Sequence, residues 1–262
     1  MTSIDYWAHR TAKAQEALTT IGIARTEKQL IKYYSASMKK ILGQFEQTYM
    51  KVFSSIEEGK QPTPADLYKL DTYWKMQGQL AQELQKLGDK QAAVLSREFV
   101  NHFQGVYDAL ALEDVSGMFS HIDTETAQQM INQIWCADGK SWSARIWENT
   151  SKLQQTLNDN LIYCVATGKK PSELKKLLQE SFNVSYSRAD ALVRTEMAHI
   201  QTQAAQKRYE NYGIQEVEIL ADKDERRCDV CGKLHQKRYP IGAAMPIPAH
   251  PRCRCCIVPV VD

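Results

Sequence analysis

The sequence predicts a mainly helical protein, in which a helical bundle in the N-terminal region is followed by a small α+β module at the C-terminus. Up to Tyr212, apolar residues recur at steps of three and four, as one face of an α-helix requires. After Gly213 the spacing changes to the alternation that is typical of short strands, and cysteines and prolines accumulate. The chain has 262 residues, of which 43% are hydrophobic, so it is long enough for one large domain or two ordinary ones.

The first part of the chain predicts three long helices. A helical arm from about Ile4 to Leu18 precedes an amphipathic helix from Glu27 to Ser54. Thr63 and Pro64 provide a cap and a first-turn proline for a second helix that ends at Gly88, and a third helix follows from Asp89 to Leu112. Short turns between successive helices favour an antiparallel bundle. The residues predicted to face the core in the second helix are Leu67, Leu70, Trp74, Leu80 and Leu84.

The middle of the chain predicts four more helices. Asp123 opens the first, which reaches Trp135, and Ser141 caps the second, which ends at Gly168. A short helix from Pro171 or Ser172 to Phe182 follows. The last begins at Ser185 or Ser187 and runs to Tyr212, where Gly213 is a natural terminator. Two short strands are predicted after it, from Ile214 to Ile219 and from Ile257 to Val261.

The least structured segment lies between Leu112 and Ile122, where acidic residues, serines and a glycine cluster. We therefore expect a helical N-terminal region over residues 1–115 and a second domain over residues 116–262. Within the second domain, residues from about 214 to 262 form the C-terminal module.

One carboxylate lies on the predicted core face of the last helix. Leu192, Glu196 and Ile200 are four residues apart and so share one stripe. A buried carboxylate needs a partner, and we expect Arg188 or a basic residue of the C-terminal module to form a structural ion pair with Glu196. A catalytic carboxylate is the alternative interpretation. We expect the neighbouring His199 to be a structural histidine whose polar atoms are satisfied.

The C-terminal module holds the most specific pattern of the sequence. Cys228-Asp229-Val230-Cys231 is followed by His250-Pro251-Arg252-Cys253-Arg254-Cys255-Cys256. Ligands three positions apart can aim at one point from a tight turn, and four thiolate and imidazole ligands suit tetrahedral zinc. We therefore predict a zinc site. Its predicted ligands are Cys228, Cys231, His250 and Cys253, with Cys255 as the alternative to Cys253, because residues two apart in an extended chain face the same side.

Disulfides and unliganded thiols are the competing interpretations of these cysteines. Disulfides need an oxidising compartment, and the segment Met1–Trp7 lacks the basic start and apolar run of an export signal. A structural zinc is favoured over a catalytic one, because four protein ligands leave no position for water and a module with few large apolar residues needs a metal to fold. The predicted fold class is thus mainly α, with a small α+β zinc-bound module at the C-terminus.

The charge of the chain does not indicate a partner by itself. The formal net charge is +2, from 33 basic and 31 acidic residues. Six basic residues around the cysteines are candidates for contact with phosphates without reading sequence, although a solvated surface is the alternative. They are Arg226, Arg227, Lys237, Arg238, Arg252 and Arg254. We expect no membrane partner, since no apolar run has membrane-spanning length.

Three motifs carry a family resemblance that extends from Gly139 to the C-terminus. They are Arg194-Thr195-Glu196, Asp224-x-Arg226-x-Cys228-x-x-Cys231 and Pro248-Ala249-His250-Pro251-x-Cys253-Arg254-Cys255. In these the chain resembles the Mu F-like, or phage head morphogenesis, family of minor capsid proteins, and residues 116–262 would form the Mu F-like domain. One departure is Gln236, at a position where the family leads us to expect a glycine.

The resemblance implies a few-copy protein of a phage or prophage that lies in the virion interior, and in the host cytoplasm during assembly. Its expected partners are the portal protein, capsid or scaffold proteins, and double-stranded DNA without sequence specificity. Its expected roles are procapsid assembly, DNA packaging or the handling of DNA before ejection. Members of the family are not known chiefly as enzymes.

An enzyme is the alternative that the metal pattern leaves open. Cys-x-x-Cys paired with His-x-x-Cys also occurs in zinc-stabilised nucleases of HNH-like type, which carry a second, catalytic constellation. The neighbouring residues His235, Asp222, Asp224 and Asp229 match no such spacing. No Gly-rich phosphate loop, nucleophile elbow or nucleotide fingerprint occurs either. We therefore expect a protein without catalytic activity.

Overall fold

The structure is a computed structural model that describes residues 3–57, 60–111, 121–221 and 227–261, with side chains from Ala8 onward. Its helices are α1 (Ser3–Ser54), α2 (Pro64–Tyr68), α3 (Asp71–Ala109), α4 (Thr124–Ile131), α5 (Trp142–Ala166), α6 (Pro171–Asn211) and α7 (Asp229–Leu234). Its strands are β1 (Glu216–Leu220), β2 (Arg238–Pro240) and β3 (Cys256–Pro259). The predicted fold class, mainly helical with a small α+β region at the C-terminus, is confirmed.

Three helices are longer than the sequence predicts, and in two of them a residue that looks like a helix terminus lies inside the helix. α3 passes through Gly88, where an added Cβ would meet the indole of Trp147 at 2.4 Å. This glycine therefore permits close packing and does not end the helix. α6 passes through Ser185, which is buried and whose carbonyl accepts a hydrogen bond from Asn149 Nδ2 at 2.9 Å. α1 likewise joins the predicted arm to the first helix.

The predicted core position of Trp74 is wrong. Thr63 caps α2 as expected, and both its amide and its hydroxyl donate to Asp66 Oδ2. However, α2 ends at Tyr68 and α3 begins only at Asp71, so the helical phase is reset. Tyr73 takes the inward position, while 59% of Trp74 is exposed and its indole Nε1 donates to the carbonyl of Tyr68.

Residue contacts divide the chain into two compact units that do not follow chain order. The first comprises Met1–Glu27, Val94–Trp142 and Ala191–Asp262, and the second comprises Lys28–Ala93 and Ser143–Asp190. The domain boundary predicted near residue 115 falls in 112–120, outside the described residues, and stays a prediction.

The second unit is a helical core with a buried polar centre. Tyr34, Gln91, Asn149 and Ser185 are all buried there. Asn149 Nδ2 lies 3.3 Å from the hydroxyl oxygen of Tyr34, to which it donates, and that hydroxyl donates to Gln91 Oε1. Burial raises the pKa of Tyr34 to about 12. Mutual hydrogen bonding compensates most of this burial, while Oδ1 of Asn149 is buried with no hydrogen-bond partner among the described residues.

The first unit contains the sheet. β1 is central in the order β2–β1–β3, and both pairings are antiparallel, with Val217 opposite Tyr239 and Ile219 opposite Ile257. α6 ends before Gly213, whose φ of +72° allows the reversal into β1. The structure also contains β2, which is not among the two strands that the sequence predicts. Pro240 occupies the end of this outer strand, where its missing N–H is tolerated.

Candidate metal centre

The first pair of cysteines lies at the start of α7. Cys228 is the N-cap residue, and its sulfur accepts a hydrogen bond from the amide of Cys231 at 3.4 Å. The amide of Gly232 donates to the carbonyl of Cys228 at 2.9 Å. The first turn of the helix thus brings both sulfurs to one side, which the spacing alone predicted, although the helix itself was not predicted.

The second pair of candidate ligands lies on a tight turn before β3. The amide of Cys253 donates to the carbonyl of His250 at 3.2 Å, which closes the turn. Arg252, inside it, has a φ of +61°, in the left-handed region that favours glycine. Its amide donates to the hydroxyl oxygen of Thr195, a residue of α6, at 3.1 Å.

These two pairs meet. Nε2 of His250 lies 3.3 Å from the sulfur of Cys228 and 3.1 Å from that of Cys231, and the sulfurs of Cys231 and Cys253 are 3.7 Å apart. Two sulfurs that are each about 2.3 Å from a tetrahedral zinc would be separated by about 3.8 Å. The sulfur and imidazole donors and their spacing therefore fit zinc.

Two overlapping groups of ligand atoms share the sulfur of Cys231. One consists of Cys228, Cys231 and His250, and the other of Cys231, Cys253 and Cys255; within each group all the ligand atoms lie within 4.8 Å of one another. Cys253 and Cys255 are both buried. The structure therefore brings all five candidate ligands together, and the choice between Cys253 and Cys255 stays a prediction.

The thiols of the cluster influence one another's pKa values. A hydrogen bond from the Cys255 thiol lowers the pKa of Cys253 to about 5, and the same bond raises the pKa of Cys255. Burial raises the pKa of Cys231 to about 12, whereas the amide of Cys231 lowers that of Cys228. A bound divalent cation would replace these protons, so metal uptake would release protons and weaken in acid.

The predicted phosphate contacts are exposed side chains where the structure describes them. Arg227, Arg252 and Arg254 line a cavity beside the candidate ligands. Lys237 is exposed as well, and Nε of Arg238 lies 3.5 Å from a carboxylate oxygen of Glu218. Arg226 lies outside the described residues. Phosphate contact stays a prediction.

Two of the four residues considered for a nuclease site, His235 and Asp229, lie in the described part of the chain. Nδ1 of His235 accepts a hydrogen bond from the amide of Ala221 at 3.3 Å, and Asp229 is an exposed residue in the first turn of α7. Asp222 and Asp224 lie outside the described residues. Among the residues that are described, the two cysteine groups are the potential metal sites.

Glu196 has an aromatic partner that the sequence did not predict. Its carboxylate is buried and accepts a hydrogen bond from Trp135 Nε1 at 3.0 Å. Trp135 was predicted to lie in the helix that Asp123 opens, but α4 ends at Ile131, so helical periodicity could not indicate this contact. Arg188 is exposed, and its pairing with Glu196 stays a prediction.

His199 differs from the expectation of a satisfied histidine. Its ring stacks on Trp135 at 4.2 Å between centroids, with 12° between the planes. Nε2 of His199 is buried and has no hydrogen-bond partner among the described residues. Burial lowers the pKa of His199 to about 4, so the ring is neutral near pH 7.

No helix in the described part of the chain is both long and apolar enough to cross a membrane. No curated protein and no solved structure matches the chain. The resemblance derived from the motifs is confirmed: residues 155–258, the range that contains all five candidate metal ligands, match the family model described as Phage Mu protein F like protein.

Proposed function

We propose that this chain is a minor head protein of a phage or prophage, present inside the capsid and associated with the portal. The observation that carries this proposal is the family match over residues 155–258, which includes Arg194-Thr195-Glu196 and both ligand pairs. The proposed partners are the portal protein and capsid or scaffold proteins. The proposed role is in procapsid assembly, DNA packaging or the handling of DNA before ejection.

The proposed metal is a structural zinc held by Cys228, Cys231, His250 and Cys253. Nε2 of His250 lies close to the sulfurs of Cys228 and Cys231, and the sulfur of Cys253 lies close to that of Cys231, which supports this assignment. The four atoms do not all lie within 4.8 Å of one another, so Cys253 is linked to the other three through Cys231. The ion would supply a cross-link between the start of α7 and the turn before β3, two segments that are otherwise joined by a long stretch with little regular structure. Four protein ligands would leave no coordination position for a reacting water.

The proposed function does not include catalysis. His235 is the histidine that a nuclease interpretation would use as the base. Its Nδ1 accepts a hydrogen bond from the backbone amide of Ala221. Supercoiled plasmid incubated with the protein in magnesium or manganese should remain intact. Cleavage that disappears in His235→Ala would contradict a purely structural role and favour the nuclease interpretation.

Contact with double-stranded DNA is a proposed part of this function. Arg227, Arg252 and Arg254 surround one cavity on the exposed side of the candidate ligands. Guanidinium groups bind phosphate oxygens through parallel N–H donors, and such contacts carry no sequence information. The proposal is therefore binding to the phosphate backbone, irrespective of base sequence.

The experiment that tests the assembly role is detection of the chain in purified particles. Procapsids and DNA-filled heads from the phage or induced prophage are separated on a density gradient, and the chain is quantified by mass spectrometry against the portal protein. A few copies per particle, protected from protease until the head is opened, are expected. A chain found free of particles throughout infection would overturn the proposal.

A further inference from the structure

Thr195 connects α6 to the turn that carries two of the candidate ligands. Its hydroxyl oxygen accepts a hydrogen bond from the amide of Arg252 at 3.1 Å. Its hydroxyl proton is donated to the carbonyl of Ala191, one turn earlier in α6, at 2.6 Å. Because the proton is already used, a lone pair of the hydroxyl is left for Arg252, and the side chain acts there as an acceptor only.

Arg252 is the residue whose position decides where this turn points. It precedes Cys253 directly and follows His250 by two residues, and its φ of +61° is unfavourable for a residue with a side chain. Such a conformation persists only where surrounding contacts hold it. The bond from Arg252 to Thr195 is a contact of this kind, made by the backbone of the strained residue itself.

We infer that Thr195 is a positioning residue for the metal centre. Its hydroxyl holds the backbone of Arg252 so that His250 and Cys253 are aimed at the sulfur of Cys231 before the ion binds. α6 is a helix of 41 residues, so the anchor is rigid relative to the turn. The inference rests on the zinc site proposed above and assigns a role to the middle residue of the Arg194-Thr195-Glu196 motif.

Residues that orient metal ligands without binding the metal themselves affect the affinity for the metal. Their loss weakens metal binding by about 10–100-fold, although the ligands themselves remain. The bond between Thr195 and Arg252 is accessible to solvent, so water can replace part of it, and we expect the lower end of that range.

The test compares Thr195→Val with Thr195→Ser in the full chain. Valine keeps the shape but removes the acceptor, and serine retains the hydroxyl. Zinc affinity is measured by competition with a chromophoric chelator, and cobalt substitution reports the ligand geometry through its visible absorption. We expect zinc to bind about tenfold more weakly in Thr195→Val, with an altered cobalt spectrum. Thr195→Ser should restore both to the wild-type values.

A matched control lies on the same helix. Gln206 Nε2 donates to the carbonyl of Ala243 at 2.9 Å, so it joins α6 to the same C-terminal segment away from the ligands. Gln206→Met should lower the thermal stability of the module without changing zinc affinity or the cobalt spectrum. Equal weakening of zinc binding in Gln206→Met and Thr195→Val would overturn the inference, because general loosening of the segment would then explain both.

Two other results would also overturn the inference, and they distinguish failure of the positioning role from failure of the metal centre. If the wild-type chain binds zinc and Thr195→Val binds it equally well, the positioning role is wrong while the metal centre stands. If the wild-type chain takes up neither zinc nor cobalt, the proposed metal centre fails together with the inference.

Discussion

The sulfur atoms of Cys231 and Cys253 lie 3.7 Å apart, although one belongs to α7 and the other to the turn before β3. Two thiolates at this distance repel each other unless a proton or a cation lies between them. A metal bound by both would join the two segments directly. The stability of the C-terminal module is therefore expected to depend on the ion.

Replacing a cysteine ligand tests this dependence. Cys228→Ser and Cys231→Ser should each release the metal and unfold the C-terminal module, while most of the helical circular dichroism remains. Serine is itself a good N-cap, so the start of α7 is preserved in Cys228→Ser and the loss reports the ligand. Cys136→Ser, outside the cluster, is the control and should keep its metal. A Cys228→Ser variant that retained one equivalent of zinc would contradict this prediction.

The conformation of Gln236 provides a test of the family comparison. Its φ is +63°, so the residue occupies the left-handed region in which the family pattern leads us to expect glycine. Gln236→Gly should leave the module equally stable or raise its unfolding free energy by up to about 1 kcal/mol, whereas Gln236→Val should lower it by a similar amount. Denaturant unfolding of the zinc-loaded protein measures both. Stabilisation by valine would show that the turn differs from the one described.

The buried imidazole of His102 predicts a loss of stability in mild acid. The side chain is buried, and burial lowers its pKa to about 4 from an ordinary value of 6.5. The unfolded chain therefore takes up a proton that the folded chain excludes, so the contribution of His102 is constant above about pH 6.5 and falls as the pH drops towards 4. At pH 5 the loss should be about 2 kcal/mol.

The comparison with His102→Gln isolates this contribution from the protonation of the metal ligands. Glutamine keeps a polar atom near the hydroxyl of Thr19, which lies 3.3 Å from Nε2 of His102, but it does not titrate. Urea unfolding at pH 7 and pH 5 should show a smaller pH effect in the variant. The same pH effect in both proteins would exclude His102 as the cause.

The hydrogen bond from Trp135 to Glu196 should contribute measurably to stability. Trp135→Phe leaves the buried carboxylate without this donor, which should cost about 2 kcal/mol beyond the lost volume. Trp142→Phe is the matched control, because Trp142 is buried but its Nε1 makes no hydrogen bond to any described residue. Equal destabilisation of the two variants in denaturant unfolding would show that the bond contributes nothing.

Binding to DNA should be independent of sequence and sensitive to salt. Two duplexes of unrelated sequence should bind with equal affinity, which should fall steeply between low and moderate salt. Arg227→Ala should reduce the salt dependence by about one released counterion. Arg238→Ala should have less effect, because Glu218 partly compensates the charge of Arg238. Affinity that is unchanged by salt would exclude phosphate contact.

The helical part of the fold was predictable because the spacing of apolar residues is a local property. The residues at which the helices end were less predictable, since they depend on contacts with residues that are distant in sequence. From the sequence alone Gly88 indicates a helix end, but in the structure it makes room for the indole of Trp147. Ser185 likewise indicates a helix cap, but its carbonyl accepts a hydrogen bond from Asn149 inside α6. The error at Trp74 arises at the break between α2 and α3, where Tyr73 and not Trp74 takes the inward position, whereas Leu80 and Leu84 further along α3 are buried as predicted.

The candidate site was predictable as a set of residues and not as a geometry. Spacing identified Cys228, Cys231 and His250, because ligands close in sequence are brought together by one turn. The choice between Cys253 and Cys255 depends on how the turn enters β3, which spacing does not encode. Thr195 is 57 positions from Arg252 along the chain, so only the folded structure shows their contact.

The metal content of the purified chain is the most direct test of the proposed centre. The protein is prepared without a metal-affinity tag, and its metals are quantified by mass spectrometry for the wild type and for Cys253→Ser and Cys255→Ser. One zinc per chain in the wild type, lost in Cys253→Ser and retained in Cys255→Ser, is the predicted result. Wild-type protein without zinc, or with two metals per chain, would contradict a single structural zinc centre.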